Sequence, residues 1–350
     1  MRPWLVLRNV DRLRWGGDLR RRYIFDGLVE RGAEPLHDHR TFPIRLAIRR
    51  HSGPRWQVWR RRTLVAATQM LVDKQLAAVV ARGRAAVLDV HDDPLRQAAA
   101  LGLELPADDA AVVQARFAMN LAAFRDLVVP SAPFAELLEL PRDRVIVGPS
   151  GTNTAIIQAE PWPAEPAVGF ISGAAPRRGI EELVDAVAAV RERHPSTRLL
   201  LWLAATDDAS RAYLDALRAT VADRPWIEIG SVPYDQLSPQ FGRATVLAIP
   251  TPAHEYWDSV VPIKLYDALA AGRPTLTTPR LELARFVREH DVGVVASGDT
   301  ADDLATGLER LLSDEPLARR LGAKARQVAE TQFDWTVLGR RLADAILERW

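Results

Sequence analysis

Strand-length apolar runs alternate with amphipathic segments along almost the whole of this 350-residue chain. The runs are rich in Val, Ile and Leu, whereas the segments between them repeat apolar positions every three or four residues, as helices do. Strands that alternate with helices in this way favour parallel sheets built from β-α-β units. The strand-like runs are WLVLRNV, AAVLDVHDD, DLVVPS, RVIVGPSGTN, AVGFISG, RLLLWLA, WIEIGSV, TVLAIPT, PTLTTP and GVVAS.

A proline-rich stretch interrupts this alternation near the middle of the chain. The segment AEPWPAEP lies between Gln158 and Ala167, and its prolines fit neither a helix interior nor a central strand. We therefore predict an interdomain linker there and an α/β fold with two Rossmann-like, doubly wound parallel-sheet domains. The predicted N-terminal domain covers residues 1–157 and the C-terminal domain residues 158–333. A last helical segment covers residues 334–350.

The composition excludes several kinds of site. The chain has no cysteine, so it holds no disulfide, catalytic thiolate or cysteine-ligated metal. Apolar residues make up 48% of the chain, but no apolar run approaches the roughly 18 residues of a membrane span. The N-terminal MRPWLVLRNV lacks the features of a signal peptide, so we predict a cytoplasmic protein.

The net charge of +1 conceals a strongly basic segment. No acidic residue lies between Asp38 and Asp73, and Trp56 and Trp59 fall within that stretch. Arginine with tryptophan at near-helical spacing predicts reversible attachment to an anionic membrane face, with an arginine-rich solvated surface as the alternative. Because the rest of the chain is not basic, we do not predict nucleic acid as a partner. The arginines are Arg40, Arg45, Arg49, Arg50, Arg55, Arg60, Arg61 and Arg62.

Ligands of doubly wound folds bind in a crevice at the carboxyl ends of the strands, so the loops there hold the candidate site residues. One of them leads into VPIKLYDALAAGRPTLTTP, where Lys264 and Asp267 are three residues apart and share one face of a helix. The loops are Gly16-Gly17, His91-Asp92-Asp93, Pro149-Ser150-Gly151, Gly173 to Gly179, Ser231 to Tyr234 and His254 to Lys264.

Five motifs occur in an order that resembles the two-domain GT-B glycosyltransferases, and more narrowly glycosyltransferase family 4. They are Gly16-Gly17 before a helix, VIVGPSGTNT, GAAPRRGIEELVDAV, PIKLYDALAAGRPTLTTP and FDWTVLGRRLADAIL. The resemblance implies two Rossmann-like domains that face each other across a cleft. It also implies that the last motif crosses back to pack on the N-terminal domain, which binds the acceptor, and that the C-terminal domain binds a nucleotide sugar.

The resemblance assigns donor-binding roles to two of these motifs. In the family, a Lys or Arg immediately before the glycine of the third motif contacts the diphosphate, which corresponds to Arg178, next to Arg177. A second family arginine is replaced by Ala174, which follows Gly173. Cations at a helix start are otherwise unfavourable, so a solvated arginine pair is the alternative.

The fourth motif carries the remaining donor contacts. Lys264 is predicted to contact the diphosphate, and Asp267 occupies the position of a family Glu that holds the ribose, with a helix-capping acid as the alternative. The family's sugar-contacting Glu aligns with Ser259, so that contact is lost or passes to Asp258 or Glu255. Further donor contacts are expected from Gly17 in the Gly-Gly loop, from Val232 and Tyr234 beside the nucleotide base, and from the backbone N–H groups of Val261 and Ile263.

His91 follows a strand of the N-terminal domain. In related transferases a His or an acid at this strand end faces the donor sugar, and Asp92 or Asp93 would orient the ring. The alternative is an acidic pair that caps the next helix. A His with two acids also resembles a metal site, but no Asp-x-Asp spacing is present and we predict no metal.

These features predict a retaining, metal-independent glycosyltransferase without a cofactor. A nucleoside-diphosphate sugar would be the donor, and a hydroxyl, lipid-linked or otherwise close to the inner face of the cell membrane, would be the acceptor. His91, Arg178 and Lys264 are the predicted catalytic residues. The alternatives are a nucleotide-sugar epimerase of the same architecture and a degenerate, non-catalytic binding protein, because Ser259 and Ala174 replace expected polar contacts.

Overall fold

Every strand pairing in the computed structural model is parallel. The structure describes residues 4–8, 16–37, 64–69, 81, 86–103 and 105–350. The strands are β1 (Trp4–Arg8), β2 (Glu34–His37), β3 (Leu64–Thr68), β4 (Ala86–Asp89), β5 (Asp126–Val129), β6 (Val145–Val147), β7 (Ala167–Gly173), β8 (Arg198–Ala204), β9 (Ile227–Gly230), β10 (Val246–Ile249), β11 (Thr275–Thr277) and β12 (Gly293–Val295).

Helices lie between most consecutive strands. Short 3-10 turns occur at Arg142–Arg144 and Tyr234–Gln236, and a π-helical turn at Ala329–Phe333. The α-helices are α1 (Gly16–Tyr23), α2 (Asp26–Glu30), α3 (Pro94–Ala100), α4 (Ala107–Ala123), α5 (Ala132–Leu137), α6 (Ile180–Val190), α7 (Asp208–Thr220), α8 (Leu237–Gly242), α9 (Glu255–Asp258), α10 (Ile263–Ala270), α11 (Leu281–His290), α12 (Ala301–Ser313), α13 (Glu315–Val328) and α14 (Trp335–Glu348).

The chain divides into two units, each built on its own sheet. The N-terminal unit contains residues 1–99, 104–149 and 335–350, and the C-terminal unit contains residues 100–103 and 150–334. Apart from the short excursion of residues 100–103, the chain therefore crosses between the units twice, at Pro149–Ser150 and at Asp334–Trp335. The proline-rich stretch lies wholly inside the C-terminal unit rather than at a crossing.

The sheet of the N-terminal unit has the order β2-β1-β3-β4-β5-β6. Strands β4 and β5 are buried at every residue, as expected for parallel strands covered on both faces. The apolar runs of the sequence predict β1, β4, β5 and β6, but not β2 or β3. Strand β2 lies at the sheet edge and contains Pro35, which only an edge strand tolerates well.

Helix α14 belongs to the N-terminal unit although it follows the C-terminal unit in sequence, which confirms the predicted return of the chain. A Cβ atom on Gly27 of α2 would overlap the carbonyl oxygen of Gly339 in α14, so the two backbones touch. The ring of Trp335 stacks on Tyr23 with 6.2 Å between centroids. Near the end of the helix, the Arg349 guanidinium binds Asp126 at 2.9 Å.

The C-terminal sheet has the order β9-β8-β7-β10-β11-β12, which is the doubly wound order of a Rossmann fold. The chain proceeds outward from β7 through β8 to β9, then returns to the other side of β7 with β10. The crevice that binds ligands in such sheets lies at this reversal, beyond the carboxyl ends of β7 and β10. The sequence pattern predicts every strand and helix segment of this unit except the short α9.

The proline-rich stretch is attached to the C-terminal unit by Arg273, whose side chain is 1% exposed. Its guanidinium donates hydrogen bonds to the carbonyl oxygens of Glu160 at 3.0 Å and Pro161 at 2.7 Å. It also binds the carbonyls of Ala244 and Gly242. Only arginine offers enough fixed N–H donors for four carbonyl oxygens, and the arginine of the Gly-Arg-Pro motif is thus structural.

Candidate functional site

A small pocket, open to solvent, lies at the reversal point of the C-terminal sheet. The loop after β7 supplies two arginines, and the loop after β10 together with α10 supplies the opposite wall. The pocket is therefore built by the loops that the doubly wound topology brings together. The lining residues are Arg177, Arg178, Thr251, Pro252, Trp257, Val260, Pro262, Lys264 and Leu283.

Gly179 allows the two loops to approach each other. It precedes α6 with a φ of 75°, in the left-handed region, and a Cβ atom there would overlap the carbonyl oxygen of Pro250 after β10. Arg177, also at positive φ, is exposed, whereas Arg178 is half-buried. The guanidinium carbon of Arg178 lies 5.5 Å from the ring centroid of Trp257, within cation–π range.

Lys264 is half-buried in the first turn of α10 and turns toward β7. Its Nζ lies 4.6 Å from the ring centroid of Phe170 and donates a hydrogen bond to Ser172 Oγ at 3.4 Å. Burial lowers the pKa of Lys264 well below its usual range, and the positive charge of Arg178 lowers it further. Within the described part of the chain no carboxylate forms an ion pair with Lys264, so an anionic ligand would meet no competing acid at its Nζ.

Asp267 shares the helix with Lys264 but has different neighbours. Its side chain is 5% exposed, and its Oδ1 accepts hydrogen bonds from Thr152 Oγ1 at 2.9 Å and the Tyr234 hydroxyl at 3.3 Å. Burial raises the pKa of Asp267 to about 7, although both hydrogen bonds act to lower it. The structure therefore places Tyr234, predicted near the nucleotide base, against the acid predicted near the ribose.

The acids just upstream of α10 have structural contacts. Asp258 Oδ1 accepts a hydrogen bond from the backbone N–H of Leu281 at 3.1 Å and lies 3.6 Å from the Arg280 guanidinium. Ser259 is 5% exposed and donates its hydroxyl to the carbonyl of Tyr256 at 2.8 Å. Glu255 is exposed at the start of α9. Ser259, which aligns with the predicted sugar-contacting acid, thus already donates its hydroxyl to a backbone carbonyl.

The remaining predicted donor-binding residues of this unit lie at loop and helix boundaries. Val261 and Ile263 are half-buried on either side of Pro262, which caps α10. Gly173 is the exposed last residue of β7, and Val232 is half-buried after β9. Of the predicted residues, Arg177, Arg178 and Lys264 line the same pocket.

His91 and Gly17 belong to the N-terminal unit. Gly17 lies in the first turn of α1. His91 follows β4, and its Nδ1 lies 3.4 Å from Asp89 Oδ2 while its Nε2 lies 3.6 Å from Asp92 Oδ2. Asp89 is fully buried and also pairs with Arg20 at 2.6 Å. Burial acts to raise the pKa of Asp89, but the charges of Arg20 and His91 outweigh it and hold that pKa low.

Asp93 has the capping role that was the alternative for the acidic pair. Its Oδ1 accepts hydrogen bonds from the backbone N–H groups of Leu95 at 3.0 Å and Arg96 at 3.1 Å, in the first turn of α3. Asp92 instead accepts a hydrogen bond from the Gln97 side chain at 3.1 Å. Among the described residues no group of three or more His, Asp and Glu side chains is arranged to hold a metal ion.

The sequence pattern did not single out five residues that shape these sites. Phe170 and Trp257 provide the aromatic faces beside Lys264 and Arg178, Thr152 binds Asp267, and Arg20 with Asp89 supports His91. Asp89 ends a strand that the sequence predicts, and its position at the carboxyl end of that strand could have indicated a site residue. The other contacts join residues far apart in the chain.

Comparison with known proteins agrees with this fold. Residues 165–314, within the C-terminal unit, match the model of the family described as glycosyl transferases group 1. Several solved structures match nearly the whole chain at low identity. The sucrose-phosphate synthase of Thermosynechococcus elongatus has a TM-score of 0.71 and 14% identity, covering 100% of this chain and 99% of that one. Anabaena HepE in complex with UDP has a TM-score of 0.69 and 14% identity, with 99% and 100% covered.

The fold is therefore that of the GT-B glycosyltransferases. The resemblance to group 1 glycosyl transferases is confirmed over residues 165–314. A Mycobacterium tuberculosis relative, named GDP-mannose-dependent alpha-(1-6)-phosphatidylinositol monomannoside mannosyltransferase, is 28% identical over 186 residues, which are 51% of this chain and 46% of the relative. The D-inositol 3-phosphate glycosyltransferase of Corynebacterium aurimucosum is 24% identical over 179 residues, with 50% and 41% covered. The chain thus spans about half the length of the curated relatives that it matches.

Proposed function

We propose that this protein is a retaining, metal-independent glycosyltransferase that moves a sugar from a nucleoside-diphosphate sugar to an acceptor hydroxyl. The observation that carries the proposal is the pocket at the reversal of the C-terminal sheet, where Arg178 and Lys264 meet and Lys264 has no carboxylate partner among the described residues. A pocket that brings a guanidinium and an amine together favours a polyanionic ligand. A diphosphate has the charge that these side chains would neutralise.

The names of similar proteins support the donor class. The mycobacterial relative is named as GDP-mannose-dependent, and HepE was solved with UDP and with UDP-glucose. We extend the shared feature, a nucleoside diphosphate joined to a sugar, to this chain. The sugar-reading position holds Ser259, whose hydroxyl is engaged by a backbone carbonyl. The sugar would therefore be recognised by groups other than the acid that the family uses.

In the proposed reaction, Arg178 and Lys264 stabilise the negative charge that develops on the leaving diphosphate as the sugar C1–O bond breaks. The acceptor oxygen forms the new C1–O bond on the same face of the sugar, and its proton passes to the departing phosphate oxygen. The side-chain cations supply the charge neutralisation that a divalent metal would provide in other transferases. We assign the acceptor to the N-terminal unit. We assign His91, whose ring is flanked by Asp89 and Asp92, to a hydroxyl of the donor sugar or to the leaving oxygen.

Nucleotide binding and sugar transfer together test the proposal. Lys264→Ala and Arg178→Ala should each reduce turnover on the order of 10²-fold or more, as the loss of a preorganised charge does, and weaken UDP or GDP binding. Lys324→Ala is a matched control, because Lys324 lies on the exposed side of α13 and contacts Gln327. Unchanged turnover and affinity in both site variants would refute the assignment.

Two measurements separate the proposal from its alternatives. An epimerase would convert the nucleotide sugar with no acceptor present, so incubation with donor alone should give no epimer. Calorimetry against a panel of nucleoside diphosphates that shows no binding to any of them would instead favour a non-catalytic binding protein. The engaged Ser259 hydroxyl is the observation that makes this second alternative worth testing.

We also propose reversible attachment to the inner face of an anionic membrane and a lipid-linked acceptor. The segment from Arg40 to Arg62, which carries this proposal, lies outside the described residues. Among the described residues no helix has the length and apolar character needed to cross a bilayer. The mycobacterial relative's name includes a phosphatidylinositol mannoside, which supports a lipid-linked acceptor. Co-sedimentation with anionic vesicles that is absent, or insensitive to salt, would count against attachment.

A further inference from the structure

The two segments by which the chain crosses between its units are bonded to each other inside the C-terminal unit. The backbone N–H of Thr152, just after the first crossing, donates to the carbonyl of Phe333 at 2.9 Å, just before the second. Asp334 Oδ2 accepts hydrogen bonds from Thr154 N at 3.0 Å and Thr154 Oγ1 at 2.7 Å. These contacts join the two crossing segments, residues 150–154 and 333–334, into one hydrogen-bonded element.

The same element is bonded to the helix that carries Lys264. The hydroxyl of Thr152 donates to Asp267 Oδ1 at 2.9 Å, so one residue contacts the second crossing segment through its backbone and helix α10 through its side chain. Arg326 adds a second connection, because its guanidinium binds the carbonyls of Ala270 at the end of α10 at 2.6 Å and of Thr154 in the first crossing segment at 3.3 Å. Helix α10 is thus fixed to the crossing segments at two points along its length.

We infer that Asp267 is a positioning residue that couples helix α10, and with it Lys264, to the segments that join the two units. The inference rests on the proposed function, since it concerns the placement of the cation assigned to the donor diphosphate. Thr152 and Tyr234 are its partners: both donate to the same carboxylate oxygen and so fix its orientation.

The ordinary explanations for an acid in a helix do not account for Asp267. It is the fifth residue of α10, beyond the first turn in which an acid interacts favourably with the helix dipole, and Pro262 occupies the cap. A buried carboxyl group is costly unless specific donors satisfy it, and two hydroxyl donors do so here. Because an ionised carboxylate is a stronger acceptor than a neutral one, the connection tightens when Asp267 ionises.

The charged and titratable groups around Asp267 come from each neighbouring element. Lys264 lies on the same helix and faces Phe170. Tyr234 comes from the 3-10 turn after β9, and its own pKa is raised by burial and by the charge of Asp267. Arg326 comes from α13 and pairs with Glu330 at 2.7 Å. Loss of either hydroxyl donor would raise the pKa of Asp267, since both hydrogen bonds lower it.

The test compares three variants of the full chain, Thr152→Val, Tyr234→Phe and Asp267→Asn, with Thr220→Val as a matched control. Thr220 makes the same kind of hydroxyl contact, to Ala216, on the exposed face of α7. UDP and GDP affinities are measured from pH 5.5 to 8.5, and hydrogen exchange is measured in peptides covering α10 and the crossing segments. In the wild type, nucleotide affinity should change with pH around the pKa of Asp267, about 7. Thr152→Val and Tyr234→Phe should move the midpoint of that change to higher pH, and Asp267→Asn should abolish the change.

Hydrogen exchange tests the coupling without any nucleotide. Exchange in α10 and in residues 150–154 should accelerate several-fold in Thr152→Val and remain unchanged in Thr220→Val. Equal exchange and equal pH profiles in Thr152→Val and its control would overturn the inference while leaving the proposed function intact. Accelerated exchange in a chain that binds neither UDP nor GDP would support the coupling and refute the proposed function. Normal exchange without nucleotide binding would refute both.

Discussion

The stability of the C-terminal unit should depend on pH through Asp267. Burial raises the pKa of this carboxyl group from 3.8 to about 7, and the hydroxyls of Thr152 and Tyr234 only partly offset that effect. Between these two values the unfolded chain releases the proton while the folded chain retains it. The stabilising contribution of Asp267 to the free energy of unfolding is therefore fully present below about pH 4 and is lost as the pH rises toward 7.

The size of the effect follows from the two pKa values. Folded and unfolded values differ by about 3, and each pKa unit corresponds to about 1.4 kcal/mol, so the loss is about 4 kcal/mol at most. Asp267→Asn keeps the shape of the side chain and an oxygen that accepts from Thr152 and Tyr234, but it cannot ionise. The variant should therefore be more stable than the wild type at pH 8, by up to that amount, and nearly equal to it at pH 4.

Urea unfolding of both proteins at pH 4.5 and pH 8, followed by tryptophan fluorescence and by hydrogen exchange of α10, measures this difference. Subtracting the free energy of unfolding of one protein from that of the other, at each pH, removes the pH dependence that all other groups contribute. Asp208→Asn is the control, because Asp208 is exposed at the start of α7. The raised pKa of Asp267 would be refuted if the wild type were as stable as Asp267→Asn at pH 8. It would also be refuted if the difference in free energy of unfolding between the two proteins did not grow from pH 4.5 to pH 8.

Three further predictions concern the pocket and its supports. Binding of a nucleoside diphosphate should raise the lowered pKa of Lys264 and so be accompanied by proton uptake; calorimetry in buffers of different ionisation enthalpy measures this uptake, and Lys264→Arg, which stays charged, should abolish it. Gly179→Ala should lower stability by about 2 kcal/mol or more and weaken nucleotide binding, as urea unfolding and calorimetry would show, because the added methyl overlaps backbone at a positive φ. Asp89→Asn should cost about 3 to 5 kcal/mol in urea unfolding because it removes the carboxylate that pairs with the buried Arg20 guanidinium, whereas Asp92→Asn should cost much less.

The sequence predicts the fold well because parallel strands buried on both faces have a plain signature. Strands such as β5 and β10 are continuous apolar runs, and the helices between them repeat apolar positions at helical spacing. Strand β2 departs from that signature, since it is short, contains Pro35 and lies at the sheet edge. The prolines of residues 161–166 suggested a crossing, but the buried Arg273 attaches that stretch to the C-terminal unit.

The site was predictable only where local spacing determines it. Arg178 and Lys264 each lie at a helix start beside a strand end, and the structure places both in one pocket. Lys264 and Asp267 share a helix as their spacing indicates, but their partners differ: Phe170 for the lysine and Thr152 for the acid. These contacts join residues about a hundred positions apart, and no local pattern encodes them.

Helix α14 has a consequence for how the chain is made. Residues 335–350 complete the N-terminal unit, yet they leave the ribosome after all of residues 150–334. Until they arrive, the surface of α2 around Gly27 and the ring of Tyr23 lack the helix that covers them in the finished protein. The C-terminal unit lies wholly before residue 335 in the sequence, so it is free to fold first during translation, and the N-terminal unit closes only when α14 docks.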